Sequence, residues 1–257
     1  AGLNLLQPTS IQLSLLRSQP PFVRFHNFLN IKVHLCLDIS LIFCSFATVN
    51  LEHTEIQLKK RWASEYKWGR KQADIWDSQT NFVYEISDFD EVVAQVYDEF
   101  NTHRKYKDLR NYALNRWYNF QSAKAVEYIF NSHPKVRKVK NDKDQEKDFY
   151  INGVAFDHKT SVFPSGFGND VAYAQDHPKE LLKWLYLNQS EEQRFHATNR
   201  LFLVLHKKDG EHWRLKAELS WLKVLIDAYL DSYRELDLIS LKHSKGVLKT
   251  DVIFGCR

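Results

Sequence analysis

Three side chains raise the question of chemistry: Asp148, Asp157 and Lys159, all within the stretch DFYINGVAFDHKTS at 148–161. Asn152-Gly153 is a strong signal for a two-residue hairpin turn, because both central residues of a type I′ turn need positive φ. The apolar and aromatic flanks suit strands. With those two residues as the loop, Ile151 faces Val154, Tyr150 faces Ala155, Phe149 faces Phe156, and Asp148 falls directly opposite Asp157. Side chains alternate between faces of a strand. Phe149, Ile151, Val154 and Phe156 therefore share a core face, and Asp148, Asp157, Lys159 and Ser161 share the other. Facing carboxylates repel, so this placement predicts a compensating cation. A divalent metal is the economical choice, since hard cations such as Mg²⁺ take carboxylate oxygens. Without one, Asp157→Asn should relieve the repulsion and stabilise the metal-free protein.

Asp148 on one strand and Asp157-His158-Lys159 on the next resemble the signature of the PD-(D/E)xK nuclease superfamily, the restriction-endonuclease-like proteins. The resemblance spans about 117–205 by motif order: a helix, a hairpin, a helix and a strand. It implies that Asp148 and Asp157 hold one or two Mg²⁺ ions. It also implies that Lys159 positions or activates the attacking water, and that Glu127, on the helix before the first strand, adds a ligand. The sequence departs from the pattern in three places, one of them an acid spacing at the short end. Lys147 stands where the family has Pro, and the second acid is Asp157 where Glu is commoner. The fold implied is α/β, a restriction-endonuclease-like mixed β-sheet flanked by helices, with a mainly helical N-terminal part.

The elements that must position these residues can be read around them. A helix over about 116–131 carries Glu127 beside an apolar stripe of Ala123, Val126, Ile129 and Phe130. His133-Pro134 ends it, since Pro disfavours helix in the residue before it. The charged run at 135–148 reads as a solvated connection. After the hairpin, residues 164–169 read as a turn, and Asp176-His177-Pro178 opens a helix, with Pro in its first turn. Leu201 to Leu205 is an unbroken apolar run, the mark of a strand covered on both faces. A long amphipathic helix over 213–233 and two strands, 238–241 and 247–254, complete the chain. Upstream, Asp88 is placed to cap a helix over 89–100.

The 257 residues carry a formal net charge of +4 and seven Trp. A mildly basic chain permits nucleic-acid binding without requiring it, so contacts must come from local patches. Arg194 and Arg200, just before the 201–205 strand, and Lys105 and Arg110, in a basic stretch interleaved with aromatics, are the candidates for phosphate. The three cysteines form no CxxC pair, which argues against a disulfide framework or zinc site and for a reducing cytoplasm. Residues 1–50 are an apolar segment with a single acid, Asp38. Its apolar run at 33–49 is short for a membrane span and is broken by that Asp, so no membrane association is expected. A helical region is placed at 51–115 and a nuclease-like core at 116–257. The expectation is a cytoplasmic, Mg²⁺-dependent endodeoxyribonuclease acting on DNA, restriction-type as the first guess, with a homodimer left open. The rival is a non-catalytic nucleic-acid-binding protein on the same fold.

Overall fold

The hairpin is the best-determined prediction and the centre of the sheet's first half. In the computed structural model, which describes residues 49–68, 75–139, 147–188, 198–243 and 246–257, Asn152 and Gly153 adopt φ of 48° and 93°. They join β2 (Phe149–Ile151) to β3 (Val154–Val162), and the register is the expected one: Phe149↔Phe156, Tyr150↔Ala155, Ile151↔Val154. Phe149, Ile151 and Phe156 are fully buried, and Val154 packs against the same core.

The described residues form a six-stranded mixed sheet in the order β1-β2-β3-β4-β6-β5. β1 (Val136–Lys138), β2 and β3 run antiparallel. β4 (Arg200–His206) is parallel to β3, and β6 (Gly246–Cys256) is parallel to β4. β5 (Ile239–His243) closes the far edge antiparallel to β6. β1 corrects the expectation of a solvated connection at 135–148. Its VRK sequence is basic because an edge strand can leave its side chains in water while its backbone pairs with β2.

Helices cover both faces, which is why Leu201 to Leu205 are all fully buried. Leu201, Leu203 and Leu205 face one core, with Phe149, Phe156 and Ile253. That side is packed by α1 (Leu51–Lys60), α3 (Phe89–Phe100), α4 (Tyr106–Asn131) and α7 (Leu219–Ser232); a short α2 (Ile75–Gln79) lies before α3. Phe202, Val204 and Val252 face the other core, beneath α5 (Val171–Asp176) and α6 (Pro178–Asn188). Residues Ala47–Arg257 form one compact unit, and α4 runs unbroken across 115/116, where the helical region was expected to give way to the core. No helix among the described residues is long and apolar enough to cross a membrane. The apolar run at 33–48 and Arg194 lie outside the described residues.

Candidate active site

The predicted pairing of carboxylates breaks down one residue beyond the ladder. The Asp148 N–H donates to the Phe156 carbonyl at 2.8 Å, although Phe156 is already the partner of Phe149. Two residues thus oppose one, which is a β-bulge, and Asp148 does not sit squarely across from Asp157. The Asp148 carboxylate instead accepts the His158 N–H at 2.7 Å, lying against the Asp157–His158 peptide. At the end of the hairpin each acid has its own donor.

For Asp157 that donor is Arg200. Nε of Arg200 meets Oδ2 of Asp157 at 2.7 Å, and the two residues are register partners on β3 and β4. Arg200 is 6% exposed and its guanidinium lies over the Tyr186 ring at 5.7 Å. The compensating cation expected from sequence is therefore, for Asp157, a guanidinium supplied by the neighbouring strand. The expected role of Arg200 as a phosphate contact at the strand mouth is corrected: it is an internal partner of Asp157 and is not presented to solvent.

Lys159 shares the Asp157 face by alternation and stands level with Phe202. Burial, and next the positive charge of Arg200, hold its ammonium below the ordinary lysine value, while Asp157 pulls the other way. His158 points to the opposite core, its ring 5.0 Å from Phe130 and 6.2 Å from Phe149, and burial pushes it down to about 4. Its Nε2 contacts the Thr160 hydroxyl at 2.9 Å.

Glu127 lies on α4, which packs through Phe130 on the His158 face of the sheet and so on the side away from Lys159. Its carboxylate accepts from Asn131 Nδ2, one turn on, at 3.4 Å. Around Glu127 the helix buries Ala125, Val126, Ile129 and Phe130, whereas Ala123 is exposed, a shift of the apolar stripe from its expected position. Lys105 and Arg110 are at the other end of the same helix. At 1.5 Å per residue they stand roughly 30–38 Å along the helix from Phe130.

Among the described residues no group of three or more His, Cys, Asp and Glu side chains converges on one point. Asp148 and Asp157 are the pair that suits a hard cation: carboxylate oxygens on adjacent strands, both half-buried. Sequence reasoning missed the Arg200–Asp157 pair. The signal was present as an Arg opening an apolar strand, but pairing it required knowing that β4 docks parallel to β3. No family model, curated protein or solved structure matches the chain.

Proposed function

We propose that the chain is a metal-dependent endonuclease that hydrolyses phosphodiester bonds of DNA. The reading is carried by one observation: at the end of the hairpin the Asp148 carboxylate accepts the peptide N–H that follows Asp157, and the next side chain on the Asp157 face is Lys159, a lysine with lowered proton affinity beside an acid. Perturbed groups of this kind cluster at functional sites. The order of elements supports the same reading, with α4, the hairpin, α5 and α6, and then β4 parallel to β3.

Asp148 and Asp157 would hold Mg²⁺. Once bound, the ion lowers the pKa of a water and offsets charge on the scissile phosphate. The Asp148 carboxylate is oriented by the His158 N–H, and Asp157 by Arg200. Lys159 Nζ takes the water's proton or donates to the developing charge, which a partly desolvated amine does at lower cost than an exposed one. Glu127 would join the ligand set only by reaching round the sheet.

The Arg200–Asp157 pair favours a second reading. A guanidinium can stand permanently where a metal would otherwise balance Asp157, giving a nucleic-acid-binding protein that does not turn over. Supercoiled plasmid incubated with Mg²⁺, beside calorimetric Mg²⁺ titration, separates the two. The nuclease relaxes the plasmid and binds the ion, whereas the binding protein shifts the plasmid's mobility and leaves it intact in every metal tested.

A further inference from the structure

A pocket at the start of α4 carries chemistry that the two acids do not use. It has a volume of about 980 Å³, at the upper end of the range for small-ligand sites. Among the described residues Lys67, Lys105, Lys107 and Arg110 line it, with Glu65 and Asp108 as the acids. Three aromatic side chains, Trp68, Trp76 and Tyr106, share the wall. Trp68 and Trp76 each meet the buried Tyr112 edge-on, at 5.7 Å. Trp76 is 7% exposed and forms floor, while Trp68 is only partly covered. The segment carrying Lys67 and Trp68 is tied to α4 by Asn111 and Asn115, whose amides donate to the Lys67 carbonyl at 2.8 and 2.9 Å.

Behind this wall is an unusual charge. Arg61 is fully buried, yet its guanidinium is held by neutral oxygens alone: the Ser64 and Glu65 carbonyls, the Ser64 hydroxyl, and the side-chain oxygens of Asn111 and Asn115. No carboxylate pairs with it among the described residues, and its Nε has no hydrogen-bond partner. Ser64, Glu65 and Asn111 are themselves pocket residues. A buried cation with no carboxylate beside it among the described residues, one layer under a basic rim, makes the pocket attractive to an anion.

We infer that this pocket holds an unpaired nucleotide of a DNA strand, with the base on Trp68 and the flanking phosphates on Lys67, Lys105, Lys107 and Arg110. Base-on-aromatic stacking combined with a basic groove is the physics of single-strand binding. The inference deepens the nuclease reading. It places an unpaired nucleotide roughly 30–38 Å along α4 from its Phe130 end, about nine to eleven steps of a duplex at 3.4 Å each, so the DNA would carry a single-stranded tail or an opened site beyond the cut.

The test reads binding separately from cleavage. Fluorescence anisotropy of a labelled oligothymidylate and of a blunt hairpin duplex is measured without metal, on wild type, Trp68→Ala, Trp68→Phe and the double variant Lys67→Gln/Lys107→Gln. Oligothymidylate affinity should fall about ten- to a hundredfold in Trp68→Ala and recover largely in Trp68→Phe, with duplex affinity little changed. The double variant should flatten the salt dependence of oligothymidylate binding by about 1.4 log units per log unit of salt, two phosphate contacts' worth. Trp68→Phe keeps an aromatic ring against Tyr112, so it remains informative if Trp68→Ala does not fold. Equal affinity in wild type and Trp68→Ala, or equal loss in Trp68→Ala and Trp68→Phe, overturns the stacking role. Full displacement by inorganic phosphate at matched ionic strength makes the pocket a phosphate site and also overturns the inference. A protein that nicks plasmid without binding oligothymidylate keeps the nuclease reading and loses the pocket. One that binds through Trp68 but never cleaves keeps the pocket and loses the nuclease.

Discussion

Asp157 is where the residue-scale account is most exposed to test. The sequence places two acids face to face, so removing one charge should stabilise the protein. Arg200 reverses that sign. It lies 2.7 Å from Asp157 with its side chain 8% exposed, so Asp157→Asn strands a nearly buried guanidinium. Removing one partner of such a pair costs about 3 kcal/mol, the lower end of the range because Asp157 keeps some contact with water. The melting temperature should fall by about 10 °C, and Arg200→Met combined with Asp157→Leu should recover much of the loss. A thermal melt in which Asp157→Asn matches or exceeds wild type would show that the pair does not form. The acids and the lysine were legible in the sequence because residue types and a two-residue turn are local facts. Their partners were not, because Arg200 arrives from a strand more than forty residues later and the Asp148 bulge depends on how β2 leaves the ladder.

Among the elements, those with a local signature came through. Asp88 caps α3 as expected, its Oδ1 accepting from Asp90 and Glu91 at 2.8 and 3.2 Å. Pro178 opens α6, and β5 and β6 form in the two stretches read as strands. Elements resting on tertiary context did not. β1 hid in a charged run because an edge strand needs no apolar side chains. α5 was missed, although Asp170 caps it by accepting the Tyr173 N–H at 2.8 Å. The helix expected over 213–233 begins at Leu219, preceded by a tighter turn at His212–Ala217.

Two predictions belong at the element scale. Gly153 sits at φ 93°, a region that side chains disfavour, so Gly153→Ala should cost about 1–2 kcal/mol in denaturant titration. No loss would mean that the turn relaxes. Where α7 meets β6, the Tyr229 hydroxyl donates to Asp251 Oδ2 at 2.9 Å, and burial raises the Asp251 carboxyl above its usual range. The folded state then keeps a proton that the unfolded chain releases. Stability should fall as pH rises from about 3.9 through the raised value and level off beyond it. Asp251→Asn, which preserves the shape of the contact, should therefore be more stable than wild type at pH 7, with the gain vanishing near pH 4. Melts across that range check the sign.

At the scale of the molecule, residues Ala47–Arg257 form one compact unit, and every described candidate residue lies within it. A chain beginning at Ala47 should therefore fold and keep whatever hydrolytic activity the longer chain has; a folded but inactive shorter chain would place a necessary group in residues 1–46. The central claim, that Asp148, Asp157 and Lys159 cut DNA with a bound metal, is tested most directly by plasmid nicking in Mg²⁺ with wild type and Lys159→Ala side by side, and Mg²⁺ binding followed by calorimetry. The account predicts cleavage by wild type that EDTA abolishes. It also predicts a loss of at least a hundredfold in Lys159→Ala, as for a removed proton-transfer group, with Mg²⁺ affinity retained. Cleavage by Lys159→Ala at the wild-type rate, or none by wild type in Mg²⁺, would contradict it.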